Sequence, residues 1–456
     1  MQITKIHSKH YDPSLDLYHV PCLQGMTSEG SVPVTVRVPG SKSITNRALL
    51  LATLAEGTST LKGVLFSDDS RHFLSCIQTL GFETSVDEAG KVITVTGHGG
   101  SVPKPEASLD VGSAGTAARF LTAYLGISHG TYHMDASPQM RRRPMAPLLA
   151  SLRELGCEIT CENEDGFFPF IIRSNGFGQN EIRINIDSSS QFLSALLIAS
   201  NLAPDTFRIR VDGSHGMSYI DMTRNMMEQF GVTASRQTSD TFITEAGQKY
   251  RARSYQIEPD VSAACYFYAC APLLHIPVLV EHVHFDSLQG DVAFLRILER
   301  MGCTLEETER GIIVFPSTGK LHGITADLSA CSDQAITLAA IAPFADAPTT
   351  ITGIGHIRLQ ESDRMQAIMN ELTKMGIRCE MIRTDSSAEP DSLRIYPGTP
   401  SPCILDTYED HRMAMGFSLI GLCVPGISIK DPACCAKTFE NYFQVLEETI
   451  VKKFKI

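Results

Sequence analysis

Six short polar turns in this chain each open a stretch of small and apolar residues, and the groups able to do chemistry sit in those turns. The first turn holds Lys42 and Ser43, with Arg47 four residues on. The second holds Ser113, Gly115 and Thr116, followed by Arg119. The third holds Ser189, Ser190 and Gln191, the fifth Asp333, and the sixth Asp410, His411 and Arg412. Taken one turn at a time, Ser and Asp at such places are ordinary helix N-caps. Capping leaves Lys42, Arg47, Arg119 and Arg412 unexplained, because a charge inside an apolar helix needs a partner. Helix N-termini add unpaired N–H groups and a partial positive charge. Together these features point to recognition of phosphate or carboxylate groups.

Further candidates lie outside the turns. The segment MRRRPMAP places Arg141, Arg142 and Arg143 before a proline at an expected helix start, with at most one of the three facing a ligand. The segment IRLQESDRMQ offers Glu361, Asp363 and Arg364, for which a surface ion pair is the plain alternative. Lys437 follows in CCAKTF. Cations beside Asp333 and Glu361 would supply anion binding together with groups able to move protons.

The elements that position these residues repeat. Gly81, Gly156, Gly231, Gly302 and Gly376 recur at intervals of 75, 75, 71 and 74 residues. Each closes a stretch of helical apolar spacing, such as Met145, Leu148, Leu149, Leu152 and Leu155. One glycine after a helix is a common C-cap, but five in register define an internal repeat. Each repeat opens with a helix apolar on nearly every side, which predicts burial. A β-branched strand, an amphipathic helix and two further strands follow. The sixth repeat is abbreviated. Three repeats per domain is the natural division, with the boundary near residues 253–260. The segment up to about residue 40 is available to complete the C-terminal domain.

At 456 residues the chain exceeds one ordinary core. No apolar run approaches the roughly 20 residues of a membrane span, and the first residues lack a signal-peptide core. Thirteen cysteines without a framework fit buried thiols in a reducing cytoplasm. Cys157 with Cys161, and Cys434 with Cys435, lack the second pair a zinc site needs. A net charge of −12 argues against nucleic-acid binding but permits local cationic pockets. The expected partners are therefore small anionic molecules, for a cytoplasmic protein acting as a monomer with no membrane partner.

The segments GSKSITNRALLLA, SAGTAARFL, RRRP, SSQFLSALL, SDQAIT, QESDR, EDHRMAM and AKTF, in this order, span almost the whole chain. Together they resemble the 5-enolpyruvylshikimate-3-phosphate synthase family, the 3-phosphoshikimate 1-carboxyvinyltransferases. The resemblance implies an α/β, two-domain enolpyruvyl-transferase fold. Each domain would hold three βαβαββ repeats around a pseudo-threefold axis, with buried helices. The N-terminal domain would be 41–258 and the C-terminal one 1–40 plus 259–456, with the active site in the cleft between them. The implied reaction transfers the enolpyruvyl group of phosphoenolpyruvate to the 5-hydroxyl of shikimate 3-phosphate, on the route to chorismate and aromatic amino acids. It releases phosphate and needs no metal or other cofactor.

The resemblance also implies roles for residues. Lys42 reaches phosphoenolpyruvate and, with Asp333 and Glu361, forms the catalytic set. Ser43, Arg47, Ser189, Ser190, Gln191, Tyr219, Asp333 and position 360 join Lys42 around shikimate 3-phosphate. Gly115, Arg143, Gln191, Arg364, Arg412 and Lys437 join Lys42 around phosphoenolpyruvate. Asp333 is the candidate base, and Glu361 exchanges a proton with the methylene carbon. The chain departs from the family pattern at four places. Gln360 replaces a lysine that contacts both substrates, and Gly216 falls where a serine helps hold the 3-phosphate. His356 and Glu409 are the other two. Arg141 or Arg142 could restore the missing charge, and Ser214 or Ser218 the missing hydroxyl.

Three rivals follow. A UDP-N-acetylglucosamine enolpyruvyl transferase would carry Lys-Asn in the first motif and a cysteine before its Arg-Pro element; here Ser43 and DASPQMRRRP stand instead. An enolpyruvyl transferase acting on a different cyclitol is permitted by Gln360 and Gly216. A catalytically weak binding homologue is opposed by Lys42, Asp333, Glu361, Arg412 and Lys437 occurring together.

Overall fold

A computed structural model of the chain describes residues 8–26, 32–214, 216–384 and 389–454. The opening residues 1–7, part of the stretch read for a signal-peptide core, lie outside the described ones. The recurring glycines have one local cause. The helix Asp68–Thr79 ends before Gly81 (φ +93°), and the Gly81 and Phe82 N–H groups donate to the carbonyls of Gln78 and Ile77 at 3.0 and 3.1 Å. The same pair of bonds closes the helices before Gly156, Gly231, Gly302 and Gly376, all with positive φ. This is the Schellman cap, and a side chain in that left-handed conformation costs about 1–2 kcal/mol. The residue after each glycine (Phe82, Cys157, Val232, Cys303, Ile377) is buried, so each cap also pins the next strand to the core.

The chain divides into two compact units, Gly40–Glu258 and Met1–Pro39 with Pro259–Ile456. Each contains three four-stranded sheets of one topology. In the second repeat, Glu106–Asp110 runs parallel to His129–Asp135. That strand pairs antiparallel with Phe170–Asn175, which pairs antiparallel with Glu158–Cys161. One parallel and two antiparallel pairings recur in all six sheets.

Three sheets borrow strands from far along the chain. The abbreviated sixth repeat supplies only Ile404–Leu405 and Ser428–Lys430, and the N-terminal hairpin Tyr11–Asp12 and Leu17–His19 fills the other two places. Val34–Val36 serves the fourth repeat beside Val278–Glu281, and Ser254–Gln256 serves the first beside Glu56–Lys62.

The buried helices are Lys42–Leu54, Gly115–Gly126, Gln191–Ala199, Val261–Leu274, Ala335–Ile341 and His411–Cys423. Every residue of Gly115–Gly126 is buried, and it packs on Gln191–Ala199. In the other unit His411–Cys423 packs on both Val261–Leu274 and Ala335–Ile341. These contacts bring the helix starts of each unit together.

Two local expectations are corrected. Pro144 does not open a helix: Pro138–Arg141 is a short helix of its own, and the next, Ala146–Glu154, has Pro147 in its first turn. Asp333 sits in a 3-10 turn, Ser332–Gln334, ahead of its helix. Among the described residues no helix is long and apolar enough to cross a membrane, and no group of three or more His, Cys, Asp or Glu is placed to hold a metal.

Candidate active site

In the Gly40–Glu258 unit the cations gather at the starts of the buried helices. Ser41 caps Lys42–Leu54 by accepting the Ile44 N–H at 3.4 Å. Lys42 then lies 3.4 Å from Asp69, a nearly buried carboxylate in the first turn of Asp68–Thr79. Asp69 was not singled out from the sequence, since an acid at a helix start reads as routine dipole compensation.

Arg47 is fully buried. It donates to Thr223 Oγ1 at 2.8 Å, to the Ser43 and Tyr219 carbonyls at 3.1 and 3.3 Å, and to Ser194 Oγ at 3.5 Å, over the face of Phe120. These hydrogen-bond partners are all neutral. Burial pulls its pKa down to about 10. A guanidinium that is desolvated and bound only by neutral acceptors is prepared for an anion.

A second focus lies over Gly115, the first residue of its helix. A Cβ built there would stand 3.0 Å from Arg143 Nη1, 3.2 Å from Arg119 Nη1 and 3.3 Å from Gln191 Oε1. Two guanidinium groups and a helix N-terminus thus converge on one bare Cα. Of the three consecutive arginines, Arg143 is the one brought here. Arg141 is held in a two-bond pair by Asp135 at 3.0 and 2.8 Å, and Arg142 is exposed. Ser189 Oγ accepts the Gln191 N–H at 3.3 Å, Ser190 is buried, and Tyr219 is half-buried.

In the other unit Arg364 is the hub, with its side chain 2% exposed. It binds Asp333 at 2.9 Å, Glu361 at 2.9 Å and Asp410 at 2.7 Å. The surface-pair alternative for Arg364 is thereby excluded. Asp333 also binds Arg412 at 2.7 Å, and Glu361 lies 3.4 Å from Lys437. Each candidate proton carrier is thus held between two cations. Burial disfavours the charged Arg364, but Asp410, Glu361 and Asp333 together outweigh it and raise its pKa. His356 binds Ser332 Oγ at 2.8 Å, beside Asp333 in sequence.

The cations in apolar helices were expected to await ligands. Lys42 and Arg412 instead have carboxylate partners within the protein. The fourth helix start, capped by Asp260, also contributes. Its helix supplies Tyr266, whose hydroxyl accepts from Arg412 at 3.3 Å. The same repeat supplies Asp291, whose Oδ1 accepts from Gln334 at 2.7 Å and Ser262 at 2.8 Å. Burial, then the charge of Asp333, pushes the Asp291 pKa upward. Neither residue sits in a polar turn, so the repeat pattern gave no signal for them.

The departures from the family pattern have visible neighbours. The Gln360 side-chain carbonyl accepts from Arg364, so this position feeds the hub rather than adding a cation. Gly216 has φ +68°, and a Cβ there would lie 2.6 Å from Ser190 Oγ and 2.7 Å from Ser190 Cβ. Ser190 therefore fills the space a serine at 216 would need. Ser214 is exposed and Ser218 half-buried.

Solved structures with the same architecture define the class. An EPSP synthase from Acinetobacter baumannii aligns with TM-score 0.75 at 24% identity, over 93% of this chain and 97% of that one. An enolpyruvyl transferase from Streptomyces tendae aligns with TM-score 0.70 at 16% identity, over 94% and 96%. At such identities the likeness shows the fold: the two-domain α/β enolpyruvyl-transferase fold of three repeats per domain. Sequence relatives carry the assignment further. A 3-phosphoshikimate 1-carboxyvinyltransferase from Nostoc punctiforme is 41% identical over 95% of this chain and all of its own length. One from Halalkalibacterium halodurans is 37% identical over 98% of both, and a chloroplastic one from Brassica napus is 38% identical over 90% of this chain and 82% of its own. Residues 26–446 match the family described as EPSP synthase (3-phosphoshikimate 1-carboxyvinyltransferase). The chain belongs to the EPSP synthase family.

Proposed function

We propose that this chain transfers the enolpyruvyl group of phosphoenolpyruvate to the 5-hydroxyl of shikimate 3-phosphate, releasing inorganic phosphate. The observation that carries the reading is the pair of carboxylates, Asp333 and Glu361, each held between two buried cations and sharing Arg364. Such a cluster can bind an anionic reactant and move protons beside it.

In this reading Asp333 takes the proton of the acceptor hydroxyl as its oxygen attacks the enol carbon. Glu361, entering the step as the neutral acid, gives its proton to the methylene carbon and becomes the carboxylate that Arg364 and Lys437 hold, giving a tetrahedral adduct. The C–O bond to phosphate then breaks, Glu361 recovers a proton from the methyl group, and Asp333 returns its proton to the departing phosphate. Lys42, Gly115, Arg143, Gln191, Arg364, Arg412 and Lys437 hold phosphoenolpyruvate. Lys42, Ser43, Arg47, Ser189, Ser190, Gln191, Tyr219, Asp333 and Gln360 surround shikimate 3-phosphate. Lys42 lies beside the Asp69 carboxylate, and Arg364, Arg412 and Lys437 are paired with Asp333, Glu361 and Asp410. The thirteen free cysteines support a cytoplasmic setting, and the reading takes the chain to act as a monomer.

Phosphate release from phosphoenolpyruvate tests the reading, with shikimate 3-phosphate, shikimate or UDP-N-acetylglucosamine as acceptor. Turnover with shikimate 3-phosphate alone is expected. Turnover with none would favour a binding homologue or, given Gln360 and Gly216, a different cyclitol acceptor.

Gly115→Ala gives a sharper result. The added methyl would enter the space between Arg143, Arg119 and Gln191 while leaving the helix intact. Steady-state kinetics should show the KM for phosphoenolpyruvate rising about 10-fold or more, with the KM for shikimate 3-phosphate within about 2-fold. Thermal stability should hold, since alanine favours helix.

A further inference from the structure

The segment leading into the Asp410–Arg412 motif adopts a conformation its residues disfavour. Tyr408 and Glu409 have φ +57° and +56°, and the Asp410 N–H closes the turn on the Thr407 carbonyl at 2.9 Å. Two successive positive φ values inside such a turn form the type I′ pattern, which selects Asn and Gly. A tyrosine followed by a glutamate is an unfavourable pair there, and backbone held in this way needs its surroundings to impose it.

The surroundings are specific. The Tyr408 hydroxyl donates to Glu371 Oε1 at 2.7 Å and accepts from Asn370 at 3.3 Å. Glu371 is 1% exposed, and its other oxygen accepts from Lys374 Nζ at 2.7 Å and from the Asp406 N–H at 3.2 Å. Glu371 and Arg364 belong to one helix, Arg364–Lys374. That helix therefore grips the 406–410 segment twice, through Glu371 at Asp406 and Tyr408, and through Arg364 at Asp410. Beyond the turn, Asp410 accepts the Arg412 N–H at 3.0 Å and binds Arg364 at 2.7 and 3.3 Å.

We propose that Tyr408 is a positioning residue: its hydroxyl, anchored by Glu371, keeps the 407–410 turn left-handed so that Asp410 stays on Arg364 and Arg412 stays on Asp333. No reacting group touches Tyr408. Its effect reaches the reaction through the placement of two arginines, and the kinetic part of the inference rests on the enolpyruvyl-transfer reading.

The test compares wild type, Tyr408→Phe, Glu371→Gln and the double variant Tyr408→Phe/Glu409→Gly. Glycine adopts the turn without strain, so it should make the hydroxyl dispensable. In Tyr408→Phe and Glu371→Gln, the KM for phosphoenolpyruvate should rise about 10-fold, with the KM for shikimate 3-phosphate within about 2-fold. Hydrogen exchange in peptides covering residues 404–412 should quicken about 10-fold over wild type. The double variant should recover both readouts to within about 3-fold of wild type. Unchanged exchange in Tyr408→Phe, parallel rises in both KM values, or no recovery with Glu409→Gly would each overturn the proposal. Hydrogen exchange decides the clamp even if wild type shows no turnover, which would contradict the assigned reaction instead.

Discussion

Arg364→Met should destabilise the protein by about 3–5 kcal/mol and lower kcat/KM by about 1000-fold or more. The side chain is almost wholly buried and is the common partner of Asp333, Glu361 and Asp410. Methionine keeps much of the apolar volume but strips the fully buried Asp410 of its guanidinium and leaves Asp333 and Glu361 with only Arg412 and Lys437. Removing one side of a buried ion pair costs the desolvation of what remains, and Asp410 carries most of that cost. Urea denaturation would read the stability loss, and steady-state kinetics the activity. A loss below about 1 kcal/mol would mean that the carboxylates are compensated by other groups.

Asp333→Asn should separate the two quantities. The amide oxygen can still accept from Arg364 or Arg412, so stability should fall by only about 1–2 kcal/mol. The charge and the proton-accepting function are both gone, so kcat should fall by about 100- to 10,000-fold. A substitution that left kcat intact while raising KM would recast Asp333 as a binding group for the acceptor hydroxyl. The contrast between these two variants therefore distinguishes a charge hub from a proton carrier inside one cluster.

The fold was legible where one local rule acted alone. A glycine at the C-cap has a fixed register relative to the apolar face before it, so five Schellman caps announced the repeat directly. The strand exchange was less visible. Leu17–His19 and Val34–Val36 are three residues long and are placed by pairing with strands hundreds of residues away, and Tyr11–Asp12 joins only through its hairpin with Leu17–His19. The short sixth repeat hinted at a borrowed hairpin, but nothing local marked Ser254–Gln256 as a strand of the first sheet.

The site shows the same division. Cations in apolar helices were conspicuous because burial of charge is costly, and Lys42, Arg47, Arg119 and Arg412 stood out for that reason. Of their carboxylate partners, Asp333 beside Arg412 was named, but Asp69 beside Lys42 was not, because it looks like an ordinary first-turn acid until its burial is seen. Residue type and spacing did not separate Arg143 from Arg141 and Arg142, and only the family resemblance singled it out; in the structure Arg143 lies over Gly115 while Arg141 pairs with Asp135. Gly216 illustrates the reverse case. Its departure from the family pattern reads as a lost ligand, and in the structure Ser190 stands in the space that a side chain at 216 would enter.

The central claim is that Asp333 and Glu361, held by shared cations, serve a reaction that cleaves phosphoenolpyruvate at its C–O bond and spares the acceptor's phosphate. Phosphorus NMR of the protein incubated with equimolar phosphoenolpyruvate and shikimate 3-phosphate tests it most directly. The account predicts that the phosphoenolpyruvate signal is replaced one-for-one by inorganic phosphate, while the sugar-type phosphomonoester persists with a shifted resonance from the new enol ether. Loss of the acceptor's own phosphate signal, or two unchanged substrate signals beside an active control enzyme, would contradict it.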